Sequence, residues 1–243
     1  MQLRDPSDEQ QLVLDAWSAG HSVSIRARPG SGKTTVLLHA CAAFDRGPII
    51  LLTYNRELCE DTRLRLKACD LHERVVCLTY HALCSQCIAL AADDAGLFKA
   101  VEDAEQKASD VYVVQLRASA VMMDEVQDFK PIYARLMKLC LSVPDDAQYI
   151  VVGDPEQMLY DYEIGNAADL RYLQSAASHF GGKQTAWKHF ELTHSFRVTP
   201  HMAAFISKLT FPVTSLKSGS NAPVEVYTTK LWEASALMHR LLA

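Results

Sequence analysis

The sequence contains no apolar run approaching the roughly 18 residues that a bilayer-spanning helix requires, which excludes membrane insertion. Positive charge is not in excess either: 24 Lys and Arg stand against 29 Asp and Glu, for a net charge of -5. No bulk field draws the chain to nucleic acid, so any such contact has to be local. No signal peptide is visible, and the seven cysteines (41, 59, 69, 77, 84, 87 and 140) are an odd number scattered through apolar segments. That usage implies a soluble protein in a reduced, intracellular compartment, cytoplasmic in a bacterium and nuclear in a eukaryote. Internal repeats and low-complexity tracts are also absent.

What remains is a chain of 243 residues, 49% apolar, long enough for one α/β domain and part of another. Ser7 and Gln10 form a capping box ahead of Leu12, Val13, Ala16 and Trp17 at helical spacing, predicting a helix over 8–19 that ends at Gly20. A strand is expected at 22–27 and a helix at 32–45, stopped by Gly47-Pro48. Four short apolar runs, 49–53, 75–79, 120–124 and 149–153, read as buried strands separated by helical stretches. That alternation implies a parallel sheet covered on both faces, with ligands outside the carboxyl ends of the strands. Thr53, Thr79, Asp124 and Asp154 all fall at or just past those ends. Residues 93–110, acidic and Ala-rich, read as a solvated helical excursion. Gly181-Gly182 marks a turn before a last strand at 189–193. A helix at 199–209, a loop at 217–223, a strand at 224–228 and a helix at 230–242 then open a second α/β unit.

Residues 27–34 read Ala-Arg-Pro-Gly-Ser-Gly-Lys-Thr between a predicted strand and a predicted helix. In that context the run is a phosphate-binding loop, where backbone N–H groups, a helix N-terminus and one lysine converge on the same phosphates. Gly30, Ser31 and Gly32 let the backbone curl around phosphate oxygens, Lys33 reaches the β/γ bridge, and Thr34 is placed to ligate Mg²⁺. Pro29, which removes an N–H, and Ala27, where the general pattern has glycine, are departures. Asp124 ends a strand and is expected to hold Mg²⁺ through its shell, with Glu125 positioned to polarise an attacking water. The chain therefore reads as binding a nucleoside triphosphate with Mg²⁺. His81, Cys84 and Cys87 share a helical face, but no fourth metal ligand is evident and the helix is apolar, which favours small core cysteines over zinc.

The order and spacing of six motifs resemble superfamily 1 DNA helicases of the UvrD/Rep/PcrA type, over residues 8 to about 240. Asp124 to Asp128 match the family's Asp-Glu-x-Gln-Asp, and Gly153-Asp154-Pro-Glu-Gln157-Met-Leu-Tyr160 match its Gly-Asp-x-x-Gln-x-x-Tyr. Thr79-Tyr80-His81-Ala82 resembles Thr-Phe-His-Ser, Thr53-Tyr54-Asn55 resembles the first DNA-contacting motif, and Ser195-Phe196-Arg197 resembles Asn-Tyr-Arg with a variant similar to the F-box DNA helicase branch. The resemblance implies a RecA-like motor domain that couples ATP hydrolysis to 3′→5′ movement on single-stranded DNA in repair or recombination. It implies that Gln10 reads adenine, Pro29 to Thr35 cradle the nucleotide, Phe196 stacks on the base, Gln157 senses the γ-phosphate and Arg197 acts as an arginine finger. A structural salt bridge is the alternative for Arg197.

Contacts to DNA would come from Thr53, Tyr54, Asn55, Thr79, Tyr80, His81, Tyr160 and Tyr162, although each tyrosine reads equally well as a half-buried core aromatic. The expected division is a motor domain over 1–190, with a short helical insertion at about 84–117, and the incomplete start of a second RecA-like domain over 191–243. Only about 40 residues separate His81 from Asp124, where the family has a large insertion, and the family's last two motifs are not found before Ala243. A longer helicase, a truncated product, a non-catalytic ATP-dependent binding module and a small-molecule P-loop kinase all remain open on these residues.

Overall fold

A computed structural model describes residues 3–106, 111–158, 168–181, 186–209 and 214–215. The elements run α1 (Asp8–Ser18), β1 (Ser22–Ala27), α2 (Lys33–Ala43), β2 (Ile49–Thr53), α3 (Arg56–Ala68), β3 (Val75–Thr79), α4 (Tyr80–Cys87) and α5 (Asp94–Gln106). They continue with β4 (Leu116–Arg117), β5 (Ala120–Met123), α6 (Pro131–Cys140), β6 (Leu141–Ser142), β7 (Gln148–Gly153), α7 (Arg171–Gln174) and α8 (Ala176–His179). The last are β8 (Trp187–Leu192), β9 (His194–Ser195), α9 (Pro200–Leu209) and β10 (Thr214–Ser215). Six strands form one sheet, ordered β3-β2-β5-β7-β1-β8, and every pairing in it is parallel. It is the RecA-like α/β architecture. No helix of the described residues is long and apolar enough to cross a membrane.

The apolar runs form strands because both faces of the sheet are covered, so successive side chains each find a core. Ile50 and Leu52 pack with Val121, Met123 and Val151 on one face, beneath α4 to α8. Ile49 and Leu51 pack with Met122, Ile150 and Val152 on the other, against α1 to α3. Each such side chain contributes roughly 1.5–3 kcal/mol when fully buried. Helix starts follow local chemistry. Ser7 and Gln10 make the reciprocal capping box, Asn55 caps α3 and Thr79 caps α4. Trp17 then fixes α1 to α2, donating to the Ala40 carbonyl at 3.0 Å.

The strands lie where the apolar runs predict, within two residues at their ends. β8 pairs with β1 as far as Leu192, so the sheet runs past the boundary expected at 190. The expected loop at 217–223, strand at 224–228 and helix at 230–242 lie outside the described residues.

The stretch expected as a solvated excursion differs. In α5, Leu97, Ala100, Val101 and Ala104 are buried at spacings of three and four, a stripe packed into the core. Its first residue, Asp94, accepts from Lys130 Nζ at 2.7 Å and from Tyr133 Oη at 3.0 Å, and lies 3.0 Å from His81 Nε2. Those partners, His81 first, hold the Asp94 carboxyl well below the usual carboxylate range against the opposing effect of burial. The acidic composition masked a helix whose charge points inward at its start. Lys130 is 1% exposed, so removing a carboxylate that it pairs with is expected to be costly. Loss of one member of a fully buried pair costs roughly 3–5 kcal/mol. Asp94 itself is partly exposed, so Asp94→Ala should destabilise by about 2 kcal/mol, lowering the urea midpoint near neutral pH and losing that difference in acid, as the native carboxyl becomes protonated.

Candidate nucleotide-binding site

The loop between β1 and α2 turns twice through the left-handed region, at Gly30 (φ 73°) and Gly32 (φ 82°). Both positions are also crowded. A Cβ at Gly30 would lie 2.5 Å from Arg197 Cβ, and one at Gly32 would lie 2.6 Å from Gln10 Nε2. Pro29, lacking an N–H, contributes its carbonyl to Ser195 Oγ at 2.9 Å, and the Gly30 carbonyl accepts from Phe196 N at 2.9 Å. The Ser195-Phe196-Arg197 segment is therefore laced onto the loop. Glu9 of α1 braces it from the other side, accepting from Thr193 N at 2.8 Å and His194 N at 3.0 Å.

Gly32 provides no side-chain cap, so the first turn of α2 keeps N–H groups free for an anion. Ser31 Oγ is buried with no hydrogen-bond partner among the described residues. Both features suit a phosphate cradle. A cavity of about 610 Å³ opens over the loop, lined by Pro29 to Thr35, Leu58, Asp61, Arg65, Glu125, Gln157, Phe196 and Arg197.

The acidic motif meets the loop across this cavity. Lys33 Nζ donates to Glu125 Oε2 at 2.8 Å, between side chains only 12% and 24% exposed. Asp124, 1% exposed, continues the ladder through its N–H to Leu52 O and accepts from Glu125 N at 2.9 Å. Burial and then the neighbouring Glu125 charge push its carboxyl up to about 7, while Lys33, the Glu125 N–H and the Thr34 hydroxyl pull the other way. A buried carboxylate so disfavoured, beside a threonine hydroxyl and an anion cradle, fits a divalent cation. Mg²⁺ commonly takes only one or two protein oxygens and fills its shell with phosphate and water. Glu125 sits in the left-handed region (φ 55°, ψ 45°), a strained setting for a non-glycine residue.

Two of the site's supports escape a reading of the sequence. Gln127, inside the acidic motif, donates to Glu125 Oε2 at 2.8 Å and accepts from Asp154 N at 3.0 Å, tying the two carboxylate motifs together. Gly153 makes room for it, since a Cβ there would lie 2.7 Å from Gln127 Oε1. Asp61 and Arg65, paired at 2.8 Å on α3, form the far wall. Helical spacing put them on one face, but nothing local said which face met the loop.

Of the expected nucleotide residues, Gln157 lines the cavity and donates to Asp154 Oδ2 at 2.6 Å. Phe196 and Arg197 line it with exposed side chains, and Arg197 forms no ion pair among the described residues, so the salt-bridge alternative finds no partner there. Gln10 is buried beside Gly32, its amide donating to Ser31 O at 2.9 Å and accepting from Ser7 N at 3.0 Å. It braces the loop and does not line the cavity.

A second cavity, of about 910 Å³, lies at the ends of β2 and β3, and gathers Tyr54, Thr79 and His81 with Arg56 and Arg63. The structure corrects two of the residues expected with them. Tyr80 is 2% exposed and stacks on Tyr133 with centroids 4.3 Å apart, so it offers no free face, and Thr53 is fully buried. Asn55 is exposed but spends its side-chain oxygen on Leu58 N as a cap. Tyr160 and Tyr162 lie outside the described residues. His81 faces Asp94 while Cys84 and Cys87 are buried, and no metal-binding group of three such residues occurs among the described residues.

A parallel α/β sheet carrying a glycine-rich loop at one strand end and an acidic pair at another defines the P-loop nucleotide-binding class. Residues 10–163 match the family model AAA_19, described as an AAA domain, and the chain belongs to that family. No curated protein sequence matches it. Among solved structures, it is similar to an arterivirus nonstructural protein 10 (helicase), at 15% identity and TM-score 0.48 over 84% of this chain and 43% of that one. The same arterivirus protein in complex with DNA gives 15% identity and TM-score 0.49 over 85% and 44%. Pif1 from Bacteroides sp. in complex with ADP-AlF4 gives 14% identity and TM-score 0.46 over 84% and 46%. The chain spans less than half the length of these structures. The motifs and the family together identify a P-loop ATP-binding region, without singling out the UvrD type or the F-box branch.

The raised Asp124 carboxyl has a consequence for stability. Between the ordinary carboxylate range and pH 7 the unfolded chain has lost this proton and the folded chain keeps it, so stability falls as pH rises. Without divalent cation, Asp124→Asn should unfold at higher urea than the parent near pH 8, and the gain should shrink toward about pH 4. Equal midpoints at both ends of that range would contradict the assignment.

Proposed function

We propose that this chain is the ATP-binding and ATP-hydrolysing motor unit of a superfamily 1 DNA helicase, moving 3′→5′ on single-stranded DNA in repair or recombination. The observation that carries the reading is the 2.8 Å approach of Lys33 Nζ to Glu125 Oε2, directly beside the buried Asp124. Lys33 moves from Glu125 to the β- and γ-phosphates when a triphosphate enters, which frees Glu125 to accept a proton from the attacking water. Mg²⁺ held by Thr34 and Asp124 supplies neutralisation of the phosphate charge. Gln157 contacts the γ-phosphate, Arg197 stabilises charge on the transferring group, and Phe196 covers the base.

The motor domain extends through the end of β8 at Leu192 and the chain beyond it begins the partner domain, with the inter-domain cleft at Arg197. Single-stranded DNA crosses the ends of β2 and β3, where Arg56, Arg63 and His81 supply local charge and hydrogen bonding and Tyr54 a base-stacking face. Support for this placement is the clustering of these residues in one cavity of a chain that is acidic overall.

ATP turnover measured with and without single-stranded DNA tests the proposal. DNA should stimulate the parent, Lys33→Ala should lose nucleotide binding, and Glu125→Gln should keep binding while turnover falls about 10²–10⁴-fold. Tight binding without turnover in the parent would instead mark a non-catalytic binding module. Turnover that needs a small-molecule acceptor and ignores DNA would mark a kinase.

A further inference from the structure

Cys59 on α3 and Cys77 on β3 face each other with their Sγ atoms 3.7 Å apart. They lie outside the nucleotide cavity, and neither has a role in the chemistry above. Each thiol also approaches the other's backbone carbonyl, at 3.6 Å for Cys59 and 3.9 Å for Cys77, so the two side chains are held toward one another from both sides. The pair is 2% and 4% exposed, but Cys59 forms part of the wall of the 910 Å³ cavity, which gives a small oxidant an approach. A disulfide requires about 2.05 Å between sulfurs, a closure of under 2 Å from this arrangement.

The surroundings distinguish the two sulfurs. The hydrogen bond from Cys77, helped by the Arg63 charge and a hydrogen bond with Thr53, holds the Cys59 thiol below the usual thiol range against the opposing effect of burial. Arg63, one turn along α3, is itself pinned by donating Nε to the Cys77 carbonyl at 2.9 Å. Cys77 is shifted up by its partner and by burial. Cys87 and Cys140 also share a hydrogen bond, but Cys41, Cys84, Cys87 and Cys140 are all raised, burial being the first cause in each.

We propose that Cys59 and Cys77 are an oxidisable dithiol that a peroxide closes into a disulfide, fastening α3 to β3. The Cys59 thiolate attacks one peroxide oxygen, the O–O bond breaks, and a sulfenic acid forms while the other oxygen leaves as water after protonation. Cys77 sulfur then attacks Cys59 sulfur, the S–O bond breaks and a second water leaves. Two thiols lose two electrons and two protons, and one peroxide is reduced to two waters. Helix α3 presents Leu58, Asp61 and Arg65 to the nucleotide cavity and Arg56, Cys59 and Arg63 to the second cavity, so the clamp sits in the wall common to both. The proposal does not depend on the helicase reading.

Treating the reduced chain with hydrogen peroxide and mapping peptides without reductant tests it. The expected product joins the Cys59 and Cys77 peptides with the loss of two hydrogens, and dithiothreitol restores the parent mass. Cys77→Ser should stop at a sulfenic acid on Cys59 that dimedone traps, whereas Cys140→Ser should still give the cross-link. Consumption of thiols with no Cys59–Cys77 cross-link in the parent, or oxidation that joins Cys87 to Cys140 in its place, overturns the proposal. The parent result decides this even if a serine variant folds poorly.

Discussion

Two carboxylates side by side at the end of a buried strand are an electrostatic liability, and the site is organised around that fact. Asp124 has almost no contact with solvent, and burial together with the adjacent Glu125 charge disfavours its ionisation. Lys33 answers part of the demand by pairing with Glu125 at 2.8 Å, at the edge of a cradle of unused N–H groups. The remaining need is for a cation at Asp124 and an anion at the loop. A triphosphate carrying a divalent ion supplies both.

The sheet makes this juxtaposition possible. β1 and β5 are separated in the order by β7 alone, so the phosphate loop after β1, the acidic pair after β5 and the Gly153-Asp154 turn after β7 emerge at one edge. Close contacts then fix their relative positions. Gln127 bridges Glu125 to the Asp154 backbone and needs a glycine at 153, while the segment 195–197 lies against Gly30 so closely that a side chain there would collide. Each of these glycines marks where one loop rests on another.

Much of this was legible in the sequence because it is local. Short apolar runs bounded by breakers, such as Ile49 to Leu52 after Gly47-Pro48, read as doubly buried strands, and Ser7, Asn55 and Thr79 begin helices through their own side chains. The phosphate loop carries its geometry in its glycines. Features set by packing between distant segments were not legible. Tyr80 could have faced a ligand or a core, and only the position of Tyr133 on α6 decides that it stacks inward. Asp94 sits in an acidic, Ala-rich stretch whose composition suggested solvent, yet a lysine 36 residues away holds it at the core. Gln127 and the Cys59–Cys77 pair likewise acquire their meaning from partners on other elements, and Arg65 from the loop that its helix faces.

The central claim is that Lys33, Thr34, Asp124 and Glu125 form one site for a metal-bound triphosphate. Calorimetric titration of ATP at zero and saturating Mg²⁺ tests it most directly. The account predicts that Mg²⁺ tightens ATP binding by at least about tenfold, equivalent to about 1.4 kcal/mol, and that the Mg²⁺ dependence disappears when Asp124 is replaced by Asn. ATP binding of equal strength with and without Mg²⁺ in the parent, or no binding at all, would contradict it.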